Sequence, residues 1–419
     1  MALQGEITLP GDKSISHRAL MFTALSDGVS KLENLNPGGD VKTTMTAMSN
    51  CGIKISDKNT YVEVVGGGLR PFQQPGHPLY CGNSGTTTRL MLGLLAAHPI
   101  HVQFNGDQSL IKRPMDRVFR PLQQMGANVS ARDRKYLPVM LSGRDLWALD
   151  YELPYASAQV KSAILLAGLH ARGQTTVKSP AYSRDHTELL LKAMGAKVQV
   201  KGRHVSIKPL TKPLKAIDFT IPGDFSAAAF FIAAAILVPD SDLIIRKVGV
   251  NPTRIAFLHA VQEMGANIKL ANKQNHQGEA VADLRIRSSE LKGIRVYPEH
   301  IANLIDELPL IALLASQAEG ETVVRGAEEL RVKESDRITS VVTNLSAWGV
   351  KIFERDDGFS IEGPTQLKGG AVKTFNDHRI AMTMGVAGLI SKRPAKLDKP
   401  ACIDISHPGF LDDLWALES

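Results

Sequence analysis

The sequence predicts a mixed α/β protein made of repeated units in two domains. Its 419 residues exceed the usual size of one domain, so two domains are expected. Hydrophobic residues make up 43% of the chain and aromatic residues only 5%, which predicts well-developed, mainly aliphatic cores. The third observation is a pattern that recurs along the chain, in which a helical stretch ends at a glycine and a short β-branched run follows.

Five copies of this pattern centre on Gly52, Gly126, Gly195, Gly265 and Gly349, roughly 70 to 85 residues apart. Glycine takes the left-handed conformation that closes a helix, so a strand can begin at once. Helix–glycine–strand junctions occur in any α/β protein, but near-identical five-residue words at steady spacing favour true repeats. We predict six units, three per domain, with a degenerate sixth unit near the C-terminus.

Neither common nucleotide-binding motif is present. No Gly-x-Gly-x-x-Gly follows a first strand, and no Gly-x-x-x-x-Gly-Lys-Ser/Thr occurs anywhere, so a doubly wound nucleotide fold is not expected. The segment 221–225 precedes an Ala-rich apolar helix predicted at 226–238. We expect the chain to pass between domains near this point.

The formal charge of +7 is compatible with nucleic acid, a membrane surface or small anionic substrates. No run of five basic residues occurs and no aromatic residues alternate with them, which disfavours nucleic acid. The first residues do not resemble an export signal, and no apolar run approaches a membrane span. Cys51, Cys81 and Cys402 are scattered without metal-type spacing. We therefore expect a soluble cytoplasmic protein without a metal site.

Residues 9–20 are the strongest candidate for an anion-binding segment. Pro10 and Gly11 end an extended stretch, and Asp12 or Ser14 can cap the helix that follows. Lys13, His17 and Arg18 then lie on the first turns, where free N–H groups and the helix dipole favour an anion. An ordinary solvated helix start is the alternative.

Similar helix starts recur in both halves of the chain. In residues 80–90, small residues precede Arg89 in a first helical turn, and Pro114 suits the first position of the next helix. Ser157, Gln159 and Lys161 begin an aliphatic helix, and Asp185 with Glu188 can form a capping pair beside Arg184. The remaining charged starts are residues 330–337, in which Lys333 and Arg337 share a predicted helix face beside Glu334, and residues 375–382.

Asp306 and Glu307 lie inside the otherwise apolar run 304–310. Carboxylates in such surroundings are costly unless they are paired or functional, which makes them candidates for a general base. Exposed helix-cap acids are the alternative. Charged helix starts in both halves indicate an enzyme that handles two polyanionic small molecules, gathered in a cleft between two domains.

The assembled motifs resemble those of the enolpyruvyl transferases, in the branch that uses shikimate 3-phosphate as acceptor. The matching residues are Leu9, Pro10, Gly11, Lys13, Ser14, Arg18 and Ala19; Gly82, Asn83, Ser84, Gly85, Thr86 and Arg89; Arg331, Val332, Lys333, Glu334, Asp336 and Arg337; and Asn376, Asp377, His378 and Arg379. The resemblance implies a two-domain inside-out α/β barrel of six βαβαββ units that closes over its substrates. It implies domains at 11–221 and at 1–10 plus 222–419, because the first strand belongs with the C-terminal half.

The resemblance also implies substrate-binding residues, position by position. Shikimate 3-phosphate would be held by Lys13, Ser14, Arg18, Ser157, Gln159, Arg184, Asp306 and Lys333. Phosphoenolpyruvate would be held by Lys13, Asn83, Gly85, Arg113, Gln159, Arg337 and Arg379. Arginine forks suit this task because they bind carboxylates and phosphates bidentately.

The implied reaction transfers the enolpyruvyl group to the 5-hydroxyl of shikimate 3-phosphate. Asp306 would remove the hydroxyl proton, and Lys13 or Glu334 would protonate the methylene carbon to give a tetrahedral intermediate that then loses phosphate. The resemblance implies no cofactor, no metal, no nucleic-acid or membrane partner, and a monomer.

The chain departs from the family pattern at two positions. His17 stands where some members have Asn, and Ile405 stands where a lysine often precedes the C-terminal Phe-Pro motif. Gly85 is intact, with no methyl group in the loop that would face phosphoenolpyruvate. The resemblance therefore predicts sensitivity to glyphosate, an inhibitor that mimics phosphoenolpyruvate.

Three other functions remain open from the sequence. The sister enzyme that uses UDP-N-acetylglucosamine usually has a reactive cysteine in the loop corresponding to 110–114, where this chain has none. An RNA-end-processing protein on a related repeat fold is allowed by the charge but lacks an aromatic platform. A non-catalytic anion-binding protein would leave Asp306 and Glu334 without a role.

Overall fold

The computed structural model describes residues 2–418, which divide into two compact units. Unit 1 contains residues 2–10, 222–275 and 280–418, and unit 2 contains residues 11–221 and 276–279. Each unit has its own hydrophobic core, and in unit 1 this core surrounds the almost completely buried helix Phe225–Leu237.

The α-helices begin, in most cases, directly after a capping residue or a turn. In chain order they are α1 (Lys13–Thr23), α2 (Gly39–Asn50), α3 (Gly85–Leu95), α4 (Asp116–Gln124), α5 (Ala158–Gly168), α6 (His186–Ala193), α7 (Phe225–Leu237), α8 (Ala256–Glu263), α9 (Pro298–Leu304), α10 (Leu308–Ala315), α11 (Arg337–Ala347), α12 (His378–Leu389) and α13 (Phe410–Trp415). Short 3-10 helices cover Leu110–Lys112, Glu328–Val332 and Pro400–Ile405.

The strands are short, as expected for a repeated α/β unit. They are β1 (Gln4–Thr8), β2 (Ser26–Glu33), β3 (Lys54–Asp57), β4 (Tyr61–Gly67), β5 (Leu79–Tyr80), β6 (His101–Asn105), β7 (Asn128–Arg132), β8 (Tyr136–Ser142), β9 (Asp150–Glu152), β10 (Thr175–Lys178), β11 (Val198–Lys201), β12 (His204–Ile207), β13 (Leu214–Lys215), β14 (Asp218–Thr220), β15 (Asp242–Gly249), β16 (Asn267–His276), β17 (Glu279–Arg287), β18 (Arg295–Val296), β19 (Gly320–Val324), β20 (Lys351–Arg355), β21 (Gly358–Gly363), β22 (Gly370–Val372) and β23 (Ala395–Leu397).

The sheets of unit 2 share one topology. Their strand orders are β13-β2-β4-β3 with β14 also on β2, β5-β6-β8-β7, and β9-β10-β12-β11. In each sheet two strands pair in parallel and a hairpin adds the antiparallel pair, as in β5, α3, β6, α4, β7 and β8. The first of these sheets receives its parallel edge from β13 and β14, which come late in the sequence.

Unit 1 repeats this plan with one shortened copy. Its sheets are β1-β15-β17-β16, β18-β19-β21-β20 and the two-stranded β22-β23. The N-terminal strand β1 pairs in parallel with β15, from Gln4 opposite Asp242 to Thr8 opposite Arg246. The β22–β23 unit ends in a 3-10 helix and α13 instead of a hairpin. The described residues therefore form three sheets in each unit, and the sixth copy is degenerate as predicted.

The repeated glycines close their helices as expected. Gly52, Gly126, Gly195, Gly265 and Gly349 all have positive φ, between 87° and 105°. A different demand acts on Gly93 in α3, where an added Cβ would lie 2.2 Å from the carbonyl oxygen of Ala163 in α5. The absence of a side chain thus lets α3 and α5 pack closely.

Within residues 2–418, none of the helices has the length and apolar character needed to cross a membrane.

Candidate active site

In unit 2, the start of α1 is capped by Asp12 and carries a cation on its first residue. Asp12 Oδ1 accepts a hydrogen bond of 2.9 Å from the backbone N–H of Ile15, so of the two predicted capping residues Asp12 is the one used. Lys13 Nζ lies 3.3 Å from Asp40 Oδ2. The half-buried Ser14 follows on the same turn. This arrangement places N–H groups, a hydroxyl and an ammonium group at one helix end.

Arg18 lies deeper in the unit, where it joins α1 to α5 and α6. Its Nε donates to Thr187 Oγ1 at 2.7 Å, and its Nη2 donates to Ser162 Oγ at 2.9 Å. Burial lowers the pKa of Arg18 to about 10, against the opposing effects of Glu188 and Asp12. Arg18 is only 3% exposed, so its positive charge lies buried behind the start of α1.

His17 begins a chain of hydroxyl groups that joins three helices. Its Nδ1 lies 2.6 Å from Thr44 Oγ1 in α2, which lies 2.6 Å from Thr87 Oγ1 in α3. Thr87 Oγ1 donates to Ser84 Oγ at 2.7 Å, so Thr44 must donate to Thr87 and His17 Nδ1 must donate to Thr44. Burial, followed by the charges of Lys13 and Arg18, holds the pKa of His17 well below its ordinary value. His17 is thus a neutral Nδ1–H tautomer.

The loop before α3 holds Arg113. Asn83 Oδ1 accepts from Arg113 Nη2 at 2.6 Å, while Asn83 Nδ2 donates to Asp107 Oδ2 at 2.7 Å. Gly85 begins α3, and a Cβ added to it would lie 3.8 Å from Arg113 Nη1. The expectation for Pro114 is wrong, because α4 begins only at Asp116 and Pro114 lies in the preceding loop.

Arg89 has a partner that the sequence did not reveal. Its Nη1 donates to Gln159 Oε1 at 2.7 Å, and Gln159 Nε2 donates to Thr86 Oγ1 at 2.9 Å. Ser157 caps α5 by accepting from the N–H of Val160 at 3.4 Å. Arg89 therefore fixes the orientation of the Gln159 amide. The position of Arg89 in a first helical turn was the only feature of the sequence that indicated a role at this site.

Lys161 and Glu188 form a buried ion pair between α5 and α6. Their charged atoms are 2.5 Å apart and their side chains are 5% and 4% exposed. The predicted capping pair of Asp185 and Glu188 is therefore wrong: Asp185 makes no side-chain cap hydrogen bond, and Glu188 is used by Lys161. Arg184 is half-buried just before this helix.

In unit 1, Asp306 and Glu307 lie between α9 and α10, surrounded by cations. Asp306 Oδ1 lies 3.4 Å from Arg337 Nη1 and 3.9 Å from Lys333 Nζ, and Asp306 Oδ2 lies 3.9 Å from Arg379 Nη2. The Asp306 side chain is 15% exposed, whereas that of Glu307 is fully buried. The alternative of exposed helix caps is therefore excluded for Glu307.

Arg337 is a buried junction of three carboxylates. Its Nε donates to Asp377 at 2.8 Å and its Nη2 to Glu334 at 2.5 Å, in addition to the contact with Asp306. Burial alone would lower the pKa of Arg337, but Asp377, Glu334 and Asp306 outweigh it and raise this pKa. Lys333 precedes α11 after a 3-10 helix, so the prediction that it shares a helix face with Arg337 is wrong, although both approach Asp306.

Arg379 is the second residue of α12 and follows the cap Asp377, which accepts from the N–H of Arg379 at 2.9 Å. The Arg379 Nη1 donates to the backbone oxygen of Asp306 at 3.0 Å.

Arg254 was missed by the sequence analysis. Its Nη1 lies 3.3 Å from Glu307 Oε1. Only its position after the turn at Asn251 could have indicated a constrained side chain. Ile405 ends a 3-10 helix before α13.

Among residues 2–418, no group of three or more His, Cys, Asp or Glu side chains has a metal-binding arrangement. Each unit instead presents charged helix starts. We call Lys13, Ser14, Asn83, Gly85, Arg113, Ser157 and Gln159 the unit 2 cluster, and Asp306, Lys333, Glu334, Arg337 and Arg379 the unit 1 cluster. Such charged helix starts favour a class of enzyme that acts on small anionic molecules.

Comparison with known proteins specifies this class further. The sequence profile of the EPSP synthase (3-phosphoshikimate 1-carboxyvinyltransferase) family matches residues 1–414. A 3-phosphoshikimate 1-carboxyvinyltransferase from Brevibacillus brevis is 47% identical over 411 residues, covering 98% of this chain and 96% of the relative. Another, from Thermodesulfovibrio yellowstonii, is 45% identical over 419 residues and covers 99% and 97%.

Solved structures agree with the sequence comparison. An EPSP synthase from Acinetobacter baumannii superposes with a TM-score of 0.87 at 38% identity, covering 99% of this chain and 96% of its own. The enolpyruvyl transferase NikO from Streptomyces tendae gives 0.81 at 17% identity over 99% and 95%, which shows a shared fold. The chain belongs to the EPSP synthase family, and the expectation of an enolpyruvyl transferase is confirmed.

Proposed function

We propose that the unit 2 and unit 1 clusters bind the two anionic substrates of enolpyruvyl transfer and that Asp306 acts as its base. The reaction follows from family membership: the chain is a transferase that moves the enolpyruvyl group of phosphoenolpyruvate to shikimate 3-phosphate, in aromatic amino acid biosynthesis. The observation that supports the residue assignment best is Asp306, a partly exposed carboxylate with three cationic side chains within 4 Å.

We assign the acceptor to residues that combine cations with hydroxyl and amide groups. A phosphate and several hydroxyl groups call for this mixture, because charge-assisted hydrogen bonds hold the phosphate and neutral groups orient the ring. The assigned residues are Lys13, Ser14, Arg18, Ser157, Gln159, Arg184, Asp306 and Lys333. Arg18 lies behind Ser14, so we expect it to act mainly by its charge and by holding the Ser14 backbone, whose oxygen accepts from Arg18 at 3.0 Å.

We assign phosphoenolpyruvate to the arginine-rich members of both clusters, namely Lys13, Asn83, Gly85, Arg113, Gln159, Arg337 and Arg379. Each arginine is oriented by the protein before a ligand arrives: Arg113 by Asn83, Arg337 by Asp377, and Arg379 by the Asp306 backbone. Donors that are already oriented lose little entropy on binding an anion, which favours transition-state stabilisation.

In the proposed mechanism, Asp306 accepts the proton of the 5-hydroxyl group of shikimate 3-phosphate while the hydroxyl oxygen attacks C2 of phosphoenolpyruvate. Lys13 or Glu334 delivers a proton to C3, which becomes a methyl group and completes the tetrahedral intermediate. In the second step this methyl group loses a proton, the C2–O bond to phosphate breaks, and phosphate leaves. Arg337 contacts both Asp306 and Glu334, so one guanidinium group couples the proposed base to one candidate acid.

The two compact units support further proposals at the level of the whole chain. We propose that they are the domains of an inside-out α/β barrel, as the three sheets per unit suggest. We further propose that the enzyme acts as a monomer in the cytoplasm, without nucleic-acid or membrane partners and without a cofactor.

An acceptor assay tests the proposed function. Phosphate release from phosphoenolpyruvate is measured with shikimate 3-phosphate and, separately, with UDP-N-acetylglucosamine. We expect release only with shikimate 3-phosphate. Release with the sugar nucleotide alone would contradict the acceptor assignment, and release with neither would contradict the enzymatic function.

Glyphosate sensitivity remains a prediction and depends on Gly85. A Cβ added to Gly85 would lie 2.8 Å from Arg89 Nη1, the group that orients Gln159. We therefore expect glyphosate to compete with phosphoenolpyruvate in the wild type, and Gly85→Ala to weaken the inhibitor and raise the KM for phosphoenolpyruvate. Inhibition assays at several phosphoenolpyruvate concentrations check this; an unaffected wild type would contradict it.

A further inference from the structure

Glu307 is adjacent to the proposed base but has a different environment. Its side chain is 0% exposed, whereas that of Asp306 is 15% exposed. A substrate can therefore reach Asp306 but not Glu307. A fully buried carboxylate is costly unless cations and hydrogen bonds compensate for its lost hydration, so the groups around Glu307 indicate what it does.

The Ser226 hydroxyl is the centre of these contacts. It donates its proton to Glu307 Oε1, and its oxygen accepts from Arg254 Nη2 and from Arg379 Nη2, the latter at 3.2 Å. One donor and two acceptor interactions use the full capacity of a hydroxyl group. Glu307 Oε1 also lies 3.3 Å from Arg254 Nη1 and 3.6 Å from Arg379 Nη1.

Both terminal nitrogens of Arg379 are thereby fixed. Nη1 contacts the Asp306 backbone oxygen and Glu307, and Nη2 contacts Ser226 and lies 3.9 Å from Asp306 Oδ2. Arg254 is itself 3% exposed and lies against Glu307, on the buried side of this arrangement. Arg254 lies between Glu307 and Asp224, whose Oδ1 is 3.8 Å from Arg254 Nη2, and Arg379 lies between Glu307 and Asp306. Glu307 is therefore the carboxylate that the two arginines share.

We propose that Glu307, through Ser226 and Arg254, is a positioning residue that sets the orientation of Arg379 for phosphoenolpyruvate. This inference rests on the proposed function, because it takes Arg379 as a ligand of that substrate. Glu307 takes no proton from a reactant in this account. Glu307 instead holds the Arg379 guanidinium group in one orientation. This orientation matters because a guanidinium group binds a carboxylate or phosphate bidentately only when its plane faces the ligand oxygens.

Steady-state kinetics with both substrates varied test the proposal. We expect Glu307→Gln and Ser226→Ala each to raise the KM for phosphoenolpyruvate at least about 10-fold, the cost of a disturbed charge-assisted hydrogen bond. The KM for shikimate 3-phosphate should change less than about twofold. Ser226→Thr, which keeps the hydroxyl group, should restore most of the loss. The activity of the wild type is measured first. An inactive wild type would contradict the proposed function, whereas an active wild type lets the variants test the role of Glu307.

The matched control is Asp283→Asn in the same unit. Asp283 is also a largely buried carboxylate paired with an arginine, at 2.6 Å from Arg246, but it makes no contact with Ser226, Glu307 or Arg379. This variant should keep both KM values. Equal increases of both KM values in Glu307→Gln, or a KM for phosphoenolpyruvate that Ser226→Ala leaves unchanged, would overturn the proposal. Should Glu307→Gln fail to fold, the Ser226→Ala and Ser226→Thr pair decides alone.

Discussion

At the scale of single residues, the buried arginines of unit 1 are held in place by neighbouring carboxylates. Arg337 is 1% exposed and is compensated by Asp377 and Glu334. Removing one partner of such a group leaves an uncompensated charge, which costs far more than the pair contributes. The sequence could indicate that these residues are important, but it could not pair them, because Asp306, Arg337 and Asp377 come from segments separated by 31 and 40 residues.

His17 allows a residue-scale prediction from its tautomer. Because Nδ1–H donates to Thr44, the asparagine amide of His17→Asn can keep the donor, whereas His17→Leu leaves Thr44 without it. We expect His17→Leu to lower the free energy of unfolding by about 1 to 3 kcal/mol and His17→Asn by clearly less. Urea unfolding measures both. Equal losses in the two variants would contradict a stabilising hydrogen bond between His17 and Thr44.

At the scale of elements, the glycine pattern was the most informative part of the sequence. It predicted the ends of five helices because helix closure is a local event that one glycine controls. Helix starts were harder to predict. Pro114 fits a first helical turn by its own geometry, yet α4 begins at Asp116, and the N–H of the intervening Met115 instead donates to Lys135 at 2.8 Å. Contacts distant in sequence decided that boundary.

The ion pair between α5 and α6 gives an element-scale prediction. Glu188→Ala leaves Lys161 buried without its counter-ion, so we expect a loss of about 3 kcal/mol in the free energy of unfolding. Asp145→Ala is the matched control, because its pair with Arg172 is about as short, 2.7 Å, but both side chains are about 60% exposed. The control should lose clearly less stability in the same urea titration, because solvent screens an exposed pair. Similar losses in both variants would refute the stated role of burial.

At the scale of the whole molecule, the repeats explain the architecture better than any single motif. Five helix–strand units were predictable because their spacing is visible in the chain, and the degenerate sixth was inferred from them. The exchange of edge strands was not predictable from periodicity: β1 completes a sheet with β15, and β13 with β14 completes one with β2. Strand partners depend on long-range packing, and only the family resemblance placed the first strand with the C-terminal half.

Neutral buried histidines predict acid sensitivity of the whole fold. His98 is fully buried against Phe72 and His170, and burial lowers its pKa from 6.5 to about 3. Between these values the unfolded chain binds a proton that the folded chain does not, so stability is full above pH 6.5 and falls as the pH decreases. From pH 7 to pH 5, His98 should cost about 2 kcal/mol. Urea unfolding of wild type and His98→Phe at both pH values checks this; an equal pH dependence would contradict it.

The proposal that Asp306 is the base can be tested directly by phosphate release from phosphoenolpyruvate and shikimate 3-phosphate, compared between wild type and Asp306→Ala. Loss of a positioned general base typically lowers the rate about 10²- to 10⁴-fold, and we expect a loss of that size with both substrates saturating. Asp283→Asn serves as the control and should remain active. Asp306→Ala with a rate near that of the wild type would contradict the assignment of Asp306 as the base.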